Sequence, residues 1–233
     1  MRRSVGFTLI EIAIVLVILG LLLGGILKGQ ELITSARVRS LISQQDGIKA
    51  AFFGFEDRFR SPPGDYAQAT ININGVATSA ACGNGNGNGN GHIETTNNEM
   101  VLAWEHLSKA GFLAQGYTCA ATESNATTPV NPYNVYVRLI YDGTYGIASG
   151  GAPRHNIKTG AQIPVDILAE VDRKIDDAVP YAGSFQFSAY QGNAAKAPTE
   201  GAPVAPACTS GNTIAAVWNA TNNSTNCGGA SLL

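Results

Sequence analysis

The chain has 233 residues, of which 45% are hydrophobic and 14% are charged, and its formal net charge is −2 at pH 7. Its 15 Lys and Arg residues against 17 Asp and Glu residues leave no basic excess for a phosphate backbone, so no nucleic-acid partner is expected. The length suits one membrane helix followed by one domain of ordinary size.

The first element is an apolar run over residues 7–27, interrupted only by Thr8 and Glu11. About 20 such residues can cross a bilayer as a helix, so the run predicts a transmembrane segment. Arg2 and Arg3 precede it, and the positive-inside rule keeps them cytoplasmic and directs the rest of the chain outward. A carboxylate within such a helix costs a few kcal/mol at mid-bilayer depth, so Glu11 is expected to have a partner.

The string Gly6-Phe7-Thr8-Leu9-Ile10-Glu11 resembles the prepilin cleavage and methylation motif of type IV pilins and type II secretion pseudopilins. In a secretory signal the small residues follow the apolar region, whereas Gly6 precedes it. The resemblance implies that a prepilin peptidase cuts after Gly6 and methylates the amino group of Phe7. It also implies that Glu11 pairs with the N-terminal amine of a neighbouring subunit. The alternative is an uncleaved membrane anchor whose Glu11 reaches toward the headgroups.

Four glycines lie in the second half of this helix: Gly20, Gly24, Gly25 and Gly29. Their GxxxG spacing favours close packing of helices, because small residues let two backbones approach. The same glycines weaken a helix by up to about 1 kcal/mol each relative to Ala. The second interpretation is therefore local unwinding in a filament, as the resemblance to type IV pilins implies.

Beyond Lys28 the pattern becomes that of an amphipathic helix over residues 28–61. Apolar positions alternate at spacings of three and four, which draws one stripe along a helix. The stripe consists of Val38, Leu41, Gln45, Ile48, Phe52, Phe55 and Phe59. We expect it to pack against a sheet, and Pro62 and Pro63 to end the helix.

Next comes a long connection containing an alternating Asn and Gly run over residues 83–91. Such a run is typical of a loop, but Asn86, Asn88 and Asn90 also alternate as the ligands of a calcium loop do. Amides carry no charge, so a calcium site would be weak and would need Glu94 or Asp65 as added carboxylates. Asp65 ends a Pro-Pro-Gly-Asp turn that resembles one in a subset of pilin-like proteins.

The remaining elements alternate between short helices and strands. We predict a helix over 99–110 capped by Asn98, with His106 on its solvated side. A hairpin is expected from strands 135–141 and 144–148, joined at Asp142-Gly143.

A second short helix is predicted over 163–177, and the acidic stretch 172–177 at its end is expected to be solvated rather than metal-binding. A further strand is expected over 184–190. The Ala, Pro and Gly content of 192–206 indicates an extended loop.

Four cysteines lie beyond the membrane segment, at Cys82, Cys119, Cys208 and Cys227. An even count in an oxidising compartment predicts two disulfides, with three connectivities open. The nearest sequential pairing, Cys82 with Cys119 and Cys208 with Cys227, is preferred. The second pair would bound a C-terminal loop similar to that of many type IV pilins. No CxxC or HxxxH spacing favours zinc.

The prediction is an α+β, pilin-like chain: a leader at 1–6, a transmembrane part of the spine helix at 7–27, its amphipathic part at 28–61, and an extracytoplasmic head at 62–233. The head is expected to be an antiparallel sheet with long loops, on which the spine packs. No GxSxG, HExxH or P-loop motif occurs, so an enzyme is not expected.

The expected function is that of a structural subunit of a type IV pilus-like filament. Its partners would be the prepilin peptidase, other copies of itself and related pilins, the inner-membrane assembly platform and, before assembly, membrane lipid. It would lie in the bacterial inner membrane with its head outward, then in an extracellular pilus or a periplasmic pseudopilus. The alternatives are a type II secretion pseudopilin and a minor or tip pilin that binds calcium or a surface ligand. No other cofactor is expected.

Overall fold

The computed structural model describes residues 9–147, 151–192 and 202–233. It contains two compact units, Met1–Arg37 and Val38–Leu233. The first helix, α1, spans Leu9–Phe59 and contributes residues to both units.

In the first unit, α1 carries the apolar run. Its large apolar side chains from Leu9 to Leu27 are 47–93% exposed. Among the described residues, α1 is the one helix long and apolar enough to cross a membrane. The prediction of a helix long and apolar enough to span a membrane is confirmed.

In the second unit, α1 buries the predicted stripe. Six of its seven positions are buried, Val38, Leu41, Gln45, Ile48, Phe52 and Phe55, while Phe59 is half-buried. The helix ends at Phe59, and Arg60 follows in the left-handed region with φ 58°. Pro62 and Pro63 follow after Ser61, so the chain cannot resume a helix there.

After α1 come the short helices and the strands of the sheet. In chain order these are α2 (Ala69–Asn72), α3 (Glu99–Lys109), β1 (Arg138–Asp142), β2 (Arg154–Lys158), α4 (Val165–Ile175), β3 (Phe185–Phe187), α5 (Ala205–Cys208) and β4 (Gly229–Leu232). Short 3₁₀ segments occur at Ala80–Gly85, which is kinked at Cys82–Asn84, and at Thr96–Asn98 and Ala220–Asn222.

The sheet has four strands in the order β1-β2-β4-β3, and every pairing is antiparallel. The register places Ile140 opposite Asn156 and Ile157 opposite Ser231. The chain therefore returns at its C-terminus to fill the centre of the sheet. The α+β prediction is confirmed.

Two core clusters hold α1 on this framework. Phe52 and Phe55 pack with α3 and with Leu139 of β1. Val38 and Leu41 pack with α4, β3 and Trp218. Since burial of each such side chain contributes roughly 1.5–3 kcal/mol, the stripe is a major source of the head's stability.

The predicted hairpin is wrong. β1 ends at Asp142 and pairs with β2, which starts only at Arg154. The Asp142 carboxylate accepts hydrogen bonds from the Thr144 N–H at 3.1 Å and from Lys158 Nζ at 2.7 Å. The chain leaves the sheet here and residues 144–147 form no strand, while residue 148 lies outside the described residues.

The other predicted elements are close to the observed ones. The helix predicted over 99–110 is α3, and that over 163–177 is the shorter α4. The strand expected over 184–190 is β3. Of the loop 192–206, residues 193–201 lie outside the described part of the chain, and Ala205 already begins α5.

Candidate functional site

The first candidate site is the N-terminal part of α1. Gly6 and Phe7, the expected processing residues, lie outside the described residues. Glu11 lies in the first turn of α1 with its side chain exposed. It is also the one acidic residue among the exposed apolar side chains from Leu9 to Leu27.

The glycines of this helix leave its surface open. A Cβ built on Gly20, Gly24, Gly25 or Gly29 would meet no atom within 4 Å. All four lie within α1, which is helical through them. Close packing of neighbouring helices and local unwinding in a filament both stay predictions.

The second candidate site is the Asn and Gly loop, which winds around Asp65. The Asp65 side chain is 1% exposed. Its Oδ1 accepts hydrogen bonds from the N–H groups of Gly89 at 2.7 Å and Asn90 at 3.1 Å, and its Oδ2 from that of Gly91 at 2.7 Å. Three charge-assisted bonds therefore fix the loop on the turn that follows α1.

Two further buried carboxylates hold the flanks of the same loop. Glu99 accepts the N–H of Asn88 at 2.8 Å and that of Glu94 at 3.1 Å. Glu105 accepts the N–H of Ala77 at 2.7 Å and that of Cys119 at 2.7 Å. Both residues belong to α3, so this helix supplies four carboxylate oxygens. Each accepts a hydrogen bond from a backbone N–H group outside the sheet. Burial raises the pKa of Glu99 to about 7 despite the two N–H donors.

His106 completes this arrangement and corrects the expectation that it is solvated. Its side chain is fully buried. Nδ1 accepts the Gly64 N–H at 2.9 Å, and Nε2 lies 3.1 Å from the Gly85 carbonyl, to which it donates in the neutral form. Burial lowers the pKa of His106 to about 4, and the bond to Gly85 opposes that shift only in part. His106 is thus a neutral bridge between the Pro-Pro-Gly-Asp turn and the loop.

The sequence signal for these residues lay in the loop rather than in the helix. An irregular segment that is packed onto a core must find acceptors for its N–H groups, since unpaired buried amides are costly. Glu99, Glu105 and His106 are the buried polar residues of the adjacent helix, so they are placed to accept these N–H groups. Asn98 does precede α3, but it makes no side-chain cap and instead donates to the Ala120 carbonyl at 2.6 Å.

The loop oxygens considered for calcium are engaged by N–H donors. Asn86 Oδ1 accepts from the Thr70 N–H, and Asn88 Oδ1 from that of Asn90, at 3.0 and 2.9 Å. Asn90 Oδ1 accepts the His92 N–H at 2.8 Å. A calcium site needs six to eight oxygens turned toward one point. The loop instead turns N–H groups toward the Asp65 carboxylate, and calcium binding at this loop stays a hypothesis.

Two disulfides close the head: Cys82–Cys119 and Cys208–Cys227. This is the pairing preferred from the sequence. The first ties the Asn and Gly loop to the segment after α3. The second bounds a C-terminal loop in which the Trp218 side chain is 6% exposed.

Asp172 of α4 lies under that loop, which corrects the expectation of solvation for this one residue of the acidic stretch, whereas Asp176 and Asp177 are exposed. Its side chain is fully buried, and its Oδ2 accepts a hydrogen bond from Trp218 Nε1 at 2.6 Å. Burial raises the pKa of Asp172 to about 6, the Trp218 bond lowers it in part, and the charges of Asp177 and Asp176 raise it further.

An exposed apolar N-terminal helix joined in one chain to a disulfide-closed α+β head defines the class of a membrane-anchored subunit. Residues 1–27 match the family model of the prokaryotic N-terminal methylation motif. The chain therefore carries the signature of the type IV pilin and pseudopilin family. No curated protein and no solved structure matches it. The motif points to a structural subunit rather than an enzyme, to processing by a prepilin peptidase and to filament assembly.

Proposed function

We propose that this chain is a structural subunit of a type IV pilus-like filament, anchored in the inner membrane until its N-terminal helix is transferred to the filament core. The observation that carries the proposal is the methylation motif on a helix whose apolar side chains are 47–93% exposed from Leu9 to Leu27. Such a surface requires lipid or other apolar helices around it, because water solvates it poorly. Membrane and filament supply these two environments in turn.

In this proposal Glu11 sets the axial position of each new subunit. The processed Phe7 amine is a cation, and an added subunit presents it to Glu11 of its neighbour. Inside a bundle of apolar helices a carboxylate without a cation costs several kcal/mol, so the pairing discriminates strongly between registers.

The test is the intact mass of the protein, recovered separately from sheared surface material and from membranes of the native cell. A pilus subunit is recovered in the sheared fraction without residues 1–6, methylated at Phe7 and with all four thiols oxidised. A full-length Met1 form in every fraction would refute the proposal.

Processing itself is tested by substitution at the expected cleavage site. Gly6→Ala should be cut more readily than Gly6→Leu, because the peptidase is expected to accept only a small residue there. Equal cleavage of the two variants would show that the site is not read in this way.

A type II secretion pseudopilin is the second candidate, since the methylation motif is shared with that class. A processed form confined to membranes would favour it or a minor subunit. The long loops of the head and its two disulfides favour a subunit exposed at the cell surface. The third candidate is a minor or tip pilin, which would bind calcium or a surface ligand through residues 82–119. Loss of head stability on chelation would support its metal part.

A further inference from the structure

Asp172 leaves one oxygen unsatisfied in the interior of the head. Its Oδ2 is bonded to Trp218, but its Oδ1 has no hydrogen-bond partner, and the side chain is fully buried. The Ala178 N–H favours the charged carboxylate without satisfying Oδ1. A buried carboxylate oxygen without a partner is costly, so a ligand at that point would be strongly favoured.

Two more carboxylates lie close to that of Asp172. One oxygen from each of Asp172, Asp176 and Asp177 lies within 4.8 Å of the other two. Asp176 follows directly after α4 and is held by the N–H groups of Ser184 and Phe185, while Asp177 Oδ1 accepts the Val179 N–H at 2.8 Å. In the contacts described for these two carboxylates, each uses only one oxygen.

The backbone at Gly183 allows the Asp176 carboxylate to approach it closely. Gly183 has φ +69°, and a Cβ built there would overlap the Asp176 carboxylate. Only glycine therefore allows this approach without a shift of the loop.

The nearby cations do not neutralise the cluster. Arg173 and Lys174 both pair with Glu170, at 3.1 and 3.3 Å. Lys49 of α1 has a favourable charge interaction with Asp176 but, among the described residues, forms no ion pair within 4.0 Å of it. Lys49 also interacts with the Asp46 carboxylate, so its charge is shared between Asp46 and Asp176.

We propose that Asp172, Asp176 and Asp177 bind a divalent cation of the calcium type, which completes the coordination of Asp172 Oδ1. Calcium accepts carboxylate and water oxygens in a flexible shell, whereas magnesium demands near-ideal octahedral geometry and zinc prefers nitrogen and sulfur. The exposed side chains of Asp176 and Asp177 leave room for water ligands. The ion would join the end of α4 to the disulfide-bounded C-terminal loop through Trp218. This site is distinct from the Asn and Gly loop and independent of the filament role.

Trp218 gives the test its specificity, because its indole nitrogen is 2.6 Å from Asp172 Oδ2. Tb³⁺, a calcium substitute, luminesces when a nearby indole transfers excitation to it. The probe is Tb³⁺ added to the full chain in detergent micelles, excited where Trp absorbs and Tyr does not. The chain contains only Trp104 and Trp218. The Trp104→Phe variant should retain the luminescence, Trp218→Phe should lose it, and added Ca²⁺ should displace Tb³⁺.

Asp177→Asn is the decisive variant. An amide keeps the oxygen that accepts the Val179 N–H but loses the charge, so affinity for Tb³⁺ should fall about tenfold or more. Asp166→Asn, an exposed residue on the first turn of the same helix, is the matched control and should bind as the parent does. Absent luminescence would overturn the proposal, as would equal affinity of the Asp177→Asn and Asp166→Asn variants. If Glu94→Gln lost Tb³⁺ binding while Asp177→Asn retained it, the ion would be bound at the Asn and Gly loop. That result would also overturn the proposal.

Discussion

His106 is the group whose protonation we expect to destabilise the head at acid pH. It is fully buried, its Nδ1 accepts the Gly64 N–H, and its Nε2 donates to Gly85. A second proton would have to sit on Nδ1, where the Gly64 N–H already points. His106→Gln removes the titration while keeping an amide donor for the Gly85 carbonyl.

The size of the effect follows from the change in pKa. The pKa of His106 falls from 6.5 to about 4 on folding, and this difference corresponds to about 3 kcal/mol. Above pH 6.5 neither state is protonated and nothing is lost. As the pH falls from 6.5 to about 4, His106 binds a proton in the unfolded chain but not in the folded chain. The free energy of unfolding therefore decreases.

Other buried groups raise the free energy of unfolding as the pH falls. Their contribution is cancelled by comparing two variants that both contain them. The pKa values of Glu99 and Asp172 are raised to about 7 and about 6, so the folded chain binds those protons first and gains stability as the pH falls. The difference between wild type and His106→Gln cancels these shared contributions. It should reach about 3 kcal/mol between pH 6.5 and 4, or roughly 6–12 °C in Tm for a domain of this size.

The assay is thermal unfolding of the full chain in detergent, followed by tryptophan fluorescence across this pH range. His92→Gln, at a side chain that is 42% exposed, controls for the removal of a histidine. Parallel Tm curves for wild type and His106→Gln would refute the reasoning. So would an imidazole of His106 that titrates near 6.5 in the folded chain.

Three further predictions concern assembly, the loop and the disulfide. Glu11→Ala should leave processing intact yet stop filament assembly. The control is Glu31→Ala, at an exposed residue paired with Lys28, and this variant should assemble. Sheared filaments from the Glu11→Ala variant would contradict the pairing of Glu11 with the neighbouring amine. Asp65→Ala should remove three hydrogen bonds and lower stability by about 3 kcal/mol, with faster hydrogen exchange of the bonded loop amides as the measurement. Replacing the Cys208–Cys227 bridge, whose cysteines are 19 residues apart, with two serines should cost about 3 kcal/mol in thermal unfolding, and an unchanged Tm would contradict this.

Local patterns in the sequence were sufficient for the helices. The apolar run at 7–27 and the stripe from Val38 to Phe55 depend on composition and on a period of 3.6 residues, which neighbours in sequence specify. The Gly6 to Glu11 string identified the family signature in the same way. Each is a property of consecutive residues, so no tertiary contact was needed to read it.

The strand partners could not be read in this manner. Asp142-Gly143 carries a strong local hairpin signal, yet β1 pairs with a strand that begins at Arg154. The Lys158 ammonium of β2 bonds to the Asp142 carboxylate, a contact that the local turn pattern does not contain. Pairing across a sheet depends on distant residues, and local turn preference is overridden by them.

By itself, the sequence determined the anchoring helix, its motif and the buried stripe, because these follow from hydrophobicity at fixed spacing. Only the tertiary structure decided the roles of the polar groups. His106 looks like a surface residue, and Asp65 like a candidate calcium ligand, until a loop folds over them and requires hydrogen-bond partners. Asp172 looks solvated until Trp218 covers it. Whether a charge is buried depends on what the rest of the chain places against it, and no pattern of neighbouring residues specifies that.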